Sequence, residues 1–179
     1  MLRESHSVHR WHGSWSHVAD SAYYPLLDIA VGTDGVLWAT EGPRSPYLAR
    51  KPPTIVFWSG TSWERVGGEG FRITTVGTIP VHLSHRREPY VWIPAERRWH
   101  PYKDITNLID IGGTPTDGLW AIAEQPAGPS LPPYGNRIAF KTLTTGWTWV
   151  SGSGTSICGG TGVLCAHVGT NNQIWIRQA

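Results

Sequence analysis

The segment Asp28-Ile-Ala-Val-Gly-Thr-Asp-Gly-Val-Leu-Trp38 returns further along the chain as Asp110-Ile-Gly-Gly-Thr-Pro-Thr-Asp-Gly-Leu-Trp120. Both copies run ten positions from Asp to Trp and set an Asp-Gly pair before the aromatic. Weaker copies run from Ile73 to Leu83, through Val76, Gly77 and Thr78, and from Cys165 to Trp175, through Val168, Gly169 and Thr170. A repeat of this kind constrains the fold more than any other feature. A single copy cannot bury its apolar face and must stack against its neighbours. Each copy reads as strand, tight turn, strand. Asp-Gly and Asn171-Asn172 supply the positive φ that such turns need.

A second kind of hairpin alternates with the first. It reads Ile55-Val-Phe-Trp58, then Ser59 to Ser62, then Trp63-Glu-Arg-Val66. Further copies are Tyr90 to Ile93 leading to Trp99, and Arg137 to Phe140 leading to Trp147 and Trp149. The remaining copy opens the chain: Val8 to Trp11, His12-Gly-Ser, Trp15 to Val18. Three whole units therefore lie at 27–66, 73–102 and 108–150. A fourth is split between an inner hairpin at 165–177 and an outer hairpin at 8–18. Pairing those two pieces would close a ring and protect its strand edges. The expected fold is all-β: one domain over 1–179, a four-bladed β-propeller whose last blade is closed by the N-terminal and C-terminal hairpins. The competing architectures are an open piece of a larger propeller, with apolar faces left exposed, and a β-sandwich, which does not require the alternation.

Composition agrees. The 179 residues suit one domain, and 11 Trp, 21 Gly and 14 Pro argue against a helical bundle. Trp38, Trp120 and Trp175 recur at one repeat position, with Leu83 standing in for the second unit, and Trp15, Trp63, Trp99 and Trp149 recur at another. Residues at fixed repeat positions are expected to pack between blades. A charged fraction of 16% argues against disorder, and a net charge of +2 without dense Lys/Arg clusters argues against nucleic acid as a partner. No run of 18 apolar residues is available for a membrane span. The N-terminus lacks the apolar core of a signal peptide. Secretion would be consistent with a Cys158–Cys165 disulfide, which the intervening glycines permit; two free thiols are the other reading. Localisation and oligomeric state are otherwise left open.

Apolar-Asp-Ile-x-Val-Gly, an Asp-Gly turn, Leu-Trp and a following Trp hairpin together resemble tectonin-type β-propeller repeats. Gly32, Asp34, Gly35, Trp38 and Trp63 carry the resemblance best. The Asp-Gly-x-Leu-Trp core also resembles propeller repeats of bacterial sensor proteins. Tectonin-like proteins are typically lectins or surface-recognition modules, usually with more than four blades, whereas a four-blade count is hemopexin-like. The resemblance implies a lectin-like recognition module.

In such a meander the turns within hairpins form one face, and the connections between them form the other. The second set contains the long Pro-rich segments 41–54 and 124–136 and the shorter Ser84-His-Arg-Arg-Glu-Pro89. Long loops in compact domains are commonly functional. The expected ligand-binding residues on this face are Tyr23, Tyr24, Arg44, Tyr47, Arg50, His85, Arg86, Tyr134 and Arg137. Tyr rings stack on sugars, and Arg forks grip carboxylate or phosphate. The expected ligand is a glycan or polar small molecule. The alternative is a cyclase- or lyase-like enzyme with an aromatic pocket on the same face, for which His85, Asp28 and Asp110 are the candidate acid–base groups. Asp28 and Asp110 share one repeat register. Each is either half of a carboxylate pair across the channel or a structural acceptor for a neighbouring blade. No P-loop, dinucleotide fingerprint or nucleophile elbow occurs, so no cofactor is expected. The His9 and His12 spacing does not place both rings on one strand face, and no metal site is expected.

Overall fold

A computed structural model describes residues 7–20, 24–42, 52–124, 136–161, 164–169 and 172–178. Among the described residues the chain is all antiparallel β-sheet, with no helix. A two-stranded sheet comes first, β1 (Ser7–Trp11) with β2 (Trp15–Asp20). A seven-stranded sheet follows: β3 (Leu26–Val31), β4 (Leu37–Glu41), β5 (Thr54–Trp58), β6 (Trp63–Val76), β7 (Ile79–Ser84), β8 (Pro89–Ile93) and β9 (Arg98–Pro101). Then come a four-stranded sheet, β10 (Leu108–Gly113), β11 (Gly118–Ala123), β12 (Arg137–Thr142) and β13 (Thr148–Ser153), and a three-stranded one, β14 (Ser156–Gly159), β15 (Leu164–Val168) and β16 (Ile174–Gln178).

The seven-stranded sheet is two meanders sharing β6. Its residues up to Glu69 pair with β5, and those from Gly70 pair with β7. Gly67 and Gly68 make the change of direction, with φ of 73° and 79°. Among the described residues, the units are numbered in chain order as the two meanders of this sheet, the β10–β13 sheet and the β14–β16 sheet. Their innermost strands are β3, the second half of β6, β10 and β14, and all four line a central cleft of about 320 Å³. A register slip precedes Asp28, Arg72 and Asp110, so these residues occupy one repeat position.

The units are held by apolar cores at each junction. Trp38, Ile55 and Ile73 form the first; Val81, Leu83, Ile111 and Leu119 belong to the second; Trp120, Ile122, Ile138 and Ile157 belong to the third. Toward the centre the backbones converge. A Cβ on Gly113 would lie 1.9 Å from the Thr75 carbonyl oxygen, and one on Gly159 would lie 2.1 Å from that of Gly113. Only glycine fits at such an approach.

The sequence expectation of ring closure is corrected here. The β1–β2 hairpin is a sheet of its own and does not pair with β16. The innermost strand of the last unit is β14, a segment the repeat had assigned to a connection. β14 pairs Ile157 with His167, as β3 pairs Ile29 with Ala39. The hairpin expected to be innermost, β15–β16, thus supplies the second and third strands. Trp175 consequently pairs with His167, where unit one pairs Val56 with Ala39, so it is not the counterpart of Trp38. In unit two that counterpart is Val81, opposite Thr74, rather than Leu83. No disulfide joins Cys158 and Cys165. Cys165 faces Gly159 across the ladder, which puts the two side chains on opposite sides of the sheet.

Replacing Gly113 by Ala should destabilise the fold by about 3 kcal/mol or more, because backbone must move. Gly146→Ala, with no atom within 4 Å of the new Cβ, should stay near the parent. Urea unfolding of both variants checks the contrast.

Candidate functional site

Asp28 and Asp110 both line the central cleft, and each is engaged as an acceptor for the following unit. Asp28 Oδ2 accepts from the Ile73 N–H at 2.8 Å. Asp110 Oδ2 accepts from the Ile157 N–H and the Ser156 hydroxyl, each at 2.8 Å. Each Asp thus ties its own inner strand to that of the following unit. Arg72, at the same position in unit two, pairs with Asp110 Oδ1 of unit three at 3.1 Å. Burial raises the Asp28 pKa, and the Ile73 N–H and the Arg72 charge work against that rise.

The connection face has a different character. The Ser84–Pro89 connection is a compact turn. Arg87 adopts φ of 62°, its N–H donates to the Ser84 carbonyl, and Ser84 Oγ accepts the N–H groups of Arg86 and Glu88. This turn places His85 and Arg86 at a cleft of about 390 Å³ whose lining includes His82, Tyr90 and Trp99. The His82 ring lies parallel to Tyr90, with centroids 5.2 Å apart, and meets Trp99 edge-on at 4.5 Å. Trp99 is fixed by its Nε1–H donating to the Gly67 carbonyl at 3.1 Å, and Tyr90 by its hydroxyl donating to Glu88. His82 is almost wholly buried, and neither ring nitrogen makes a well-formed hydrogen bond within the protein. Burial lowers its pKa from 6.5 to about 4, against a smaller opposing effect of the Leu83 backbone. The ring is neutral at pH 7, with one donor and one acceptor nitrogen.

A second cleft of about 350 Å³ lies on the same face, lined by Lys103, Asp104, Asn107, Glu124, Arg137 and Trp149 among others. The Arg137 guanidinium stacks over the Trp149 ring, 4.1 Å from its centroid. An ion pair between Arg87 and Glu124 joins the unit-two turn to unit three. Nearby, Lys141 is buried 3.9 Å from the Tyr102 ring centroid, and burial lowers its pKa.

Of the expected binding residues, the structure brings His85 and Arg86 together in the first cleft and puts Arg137 in the second. Tyr24 belongs to neither: its ring lies near the Arg65 guanidinium, which is ion-paired with Glu41 at 2.9 Å. Tyr23, Arg44, Tyr47, Arg50 and Tyr134 lie outside the described residues, as do most of the two long Pro-rich segments. Sequence reasoning missed His82. Its available signal was a histidine between Val81 and Leu83 on a strand with no charged neighbour to keep it at the surface.

The fold defined by these sheets and their central cleft is a β-propeller. No protein-family model matches the chain, and no curated protein matches its sequence. Solved structures do match in fold. YCF48 bound to D1 peptide superposes with a TM-score of 0.53 at 13% identity, covering 92% of this chain and 53% of that one. YCF48 from Cyanidioschyzon merolae gives 0.54 at 13% identity, covering 92% and 56%. The computationally designed Ika4 protein gives 0.54 at 10% identity, covering 87% and 91%. The chain thus spans about half the length of the YCF48 chains it matches.

A pH dependence follows from His82. Its pKa is lower folded than unfolded, so protonation favours unfolding. Stability should be full above about 6.5 and should fall as pH drops toward 4, by an amount on the order of 3 kcal/mol. Chemical denaturation across that range, with His82→Phe as comparison, should show the slope in the parent and a flatter profile in the variant.

Proposed function

We propose that the chain is a recognition module, a four-blade propeller arc that binds a polyhydroxylated ligand, a glycan or polar small molecule, on its connection face. The observation that carries this reading is His82: a neutral imidazole, buried against Tyr90 and Trp99, whose two ring nitrogens are covered and lack well-formed partners, in the wall of a cleft on this face. Buried polar groups are normally satisfied, and an unsatisfied one costs about 1–3 kcal/mol. Once a side-chain movement uncovers it, a ring nitrogen could pair with a ligand hydroxyl and remove that cost. The aromatic rings offer stacking faces for the apolar side of a sugar or a planar group. His85 and Arg86 stand at the same cleft and add donors.

Two further considerations support binding over turnover. The repeat resembles tectonin-type propellers, whose members are typically lectins. YCF48, a propeller of similar fold, has been solved bound to a peptide. Enzymatic use of the cleft would require an acid–base pair. Asp28 and Asp110 are engaged in holding inner strands together.

Glycan-array screening followed by titration calorimetry tests the proposal. Binding should weaken about tenfold or more in His82→Phe, which keeps the ring but removes both nitrogens, and also in Arg86→Ala. Absence of binding to any glycan or polar small molecule, or equal affinity in both variants, would overturn it.

A further inference from the structure

The four units form an open arc, and the surfaces at its two ends repeat the surfaces that meet at every junction inside it. One repeat isoleucine shows this at the leading end. Ile73, Ile111 and Ile157 each sit one residue after the shared inner-strand position, and are 4%, 5% and 6% exposed because the preceding unit covers them. Ile29 holds that position in unit one and is 43% exposed, with Leu27 and Val31 beside it at 52% and 56%. The backbone agrees. The N–H of Ile73 is taken by Asp28 and that of Ile157 by Asp110, whereas the N–H of Ile29 donates at 3.0 Å to its own neighbour Asp28.

The trailing end is the complement. On the third strand of a unit, Ile55 and Ile138 face the following unit and are fully buried. The ladder puts Ile174 at the same position: it pairs with Val168 as Ile138 pairs with Ile122 and Ile55 with Thr40. Ile174 is 77% exposed, and Ile176, at the position of Phe57 and Phe140, is 78% exposed. No packing like that between successive inner strands joins β14 to β3. The β1–β2 hairpin stands over only part of the leading end. Trp63 Nε1–H donates to the Asp20 carbonyl, and Val8 and His9 share a cleft with Leu26, Leu27 and Ile29. The hairpin borders the start of the inner strand and leaves Leu27, Ile29 and Val31 about half exposed.

From these two unpartnered faces we infer that the occupant of each end is a second copy of this chain, docked head to tail: the Ile174–Ile176 face of one copy seats on the Leu27–Ile29–Val31 face of the other, and the reverse junction closes a ring. A head-to-tail contact closes only if the rotation completes a circle. The arc meets that condition with two copies. It superposes along about half of YCF48 propeller chains nearly twice its length, and two copies would supply the length of one such chain. Away from the polar seam the internal junctions are apolar, and the exposed residues at the two ends are aliphatic.

Sedimentation velocity on the full chain tests the inference. The parent should run at twice the 19.8 kDa mass of one chain. Ile29→Asp alone and Ile176→Asp alone should each be monomeric, since both junctions of either homodimer carry a charge. An equimolar mixture of the two variants should associate again, because one of its junctions is then unmodified on both sides. Both positions are exposed in the single chain, and unchanged circular dichroism verifies folding; Ile29→Ser and Ile176→Ser replace any variant that fails it. A parent that is monomeric at tens of micromolar, an open-ended ladder of species, or a mixture that stays monomeric would overturn the inference.

Discussion

The structure depends on a carboxylate that reaches across a unit boundary to a backbone N–H. Inner strands of neighbouring units are not joined by a sheet ladder, because each belongs to its own meander. Their polar edges nevertheless come within van der Waals range, as the missing side chains of Gly113 and Gly159 show. At that distance the exposed N–H of Ile73 or Ile157 would be stripped of water with nothing to bind. Asp28 and Asp110 provide the acceptor, each contact being worth about 1.5–3 kcal/mol for a charged partner. Thr75 and Thr74 continue the same task with hydroxyls, one donating to the Val31 carbonyl and the other accepting from the Gly113 N–H. The centre of the fold is a polar seam, and the apolar cores lie farther out.

That arrangement explains why the carboxylates are poor candidates for chemistry and why the connection face is a better one. Arg72, standing where its neighbours have Asp, pairs with Asp110 and lowers the cost of burying negative charge at the seam. The central carboxylates are therefore engaged with backbone donors and with the Arg72 charge. On the connection face, by contrast, His82 is buried for its ring and not for its nitrogens. Its position corresponds to Ala39 and Ala121 in the neighbouring units, where a small residue suffices. Unit two fills the extra space with an imidazole between Tyr90 and Trp99, and the short Ser84–Pro89 turn leaves that space open at its mouth.

Much of the fold was legible because turn chemistry and alternation are local. Asp34-Gly35 and Asp117-Gly118 mark where strands reverse, and the second hairpins are bracketed by paired Trp. The last unit was misread for a physical reason. Ser156-Ile-Cys-Gly159 is too short and too glycine-rich to announce a strand, and its place is fixed by Asp110 from the preceding unit, a contact distant in sequence. Once β14 is innermost, the Cys165–Trp175 similarity falls one strand out of step. His82 was overlooked for a related reason: whether a strand histidine finds partners depends on side chains distant in sequence, here on Trp99 of β9. His85, Arg86 and Arg137 could be assigned to the connection face because turn positions alone determine which face they join.

The same contrast separates closure from openness. Alternation of hairpins indicates that successive units stack, but it does not say how sharply the arc bends per unit. That angle is set by how deeply side chains wedge between sheets. Trp38 and Trp120 stand at the first and third junctions, packed on Phe57 and Phe140, where a small residue would let the sheets converge further. Large aromatics away from the axis, with glycine toward it, set the splay between sheets. In the last unit the ladder position of the two Trp residues falls to Ala166 and that of Phe140 to Ile176. The trailing surface therefore presents branched aliphatic side chains where the inner junctions carry rings. The exposed surface at the leading end, Leu27, Ile29 and Val31, is likewise aliphatic. Both ends keep the apolar character of an internal junction without its bulk.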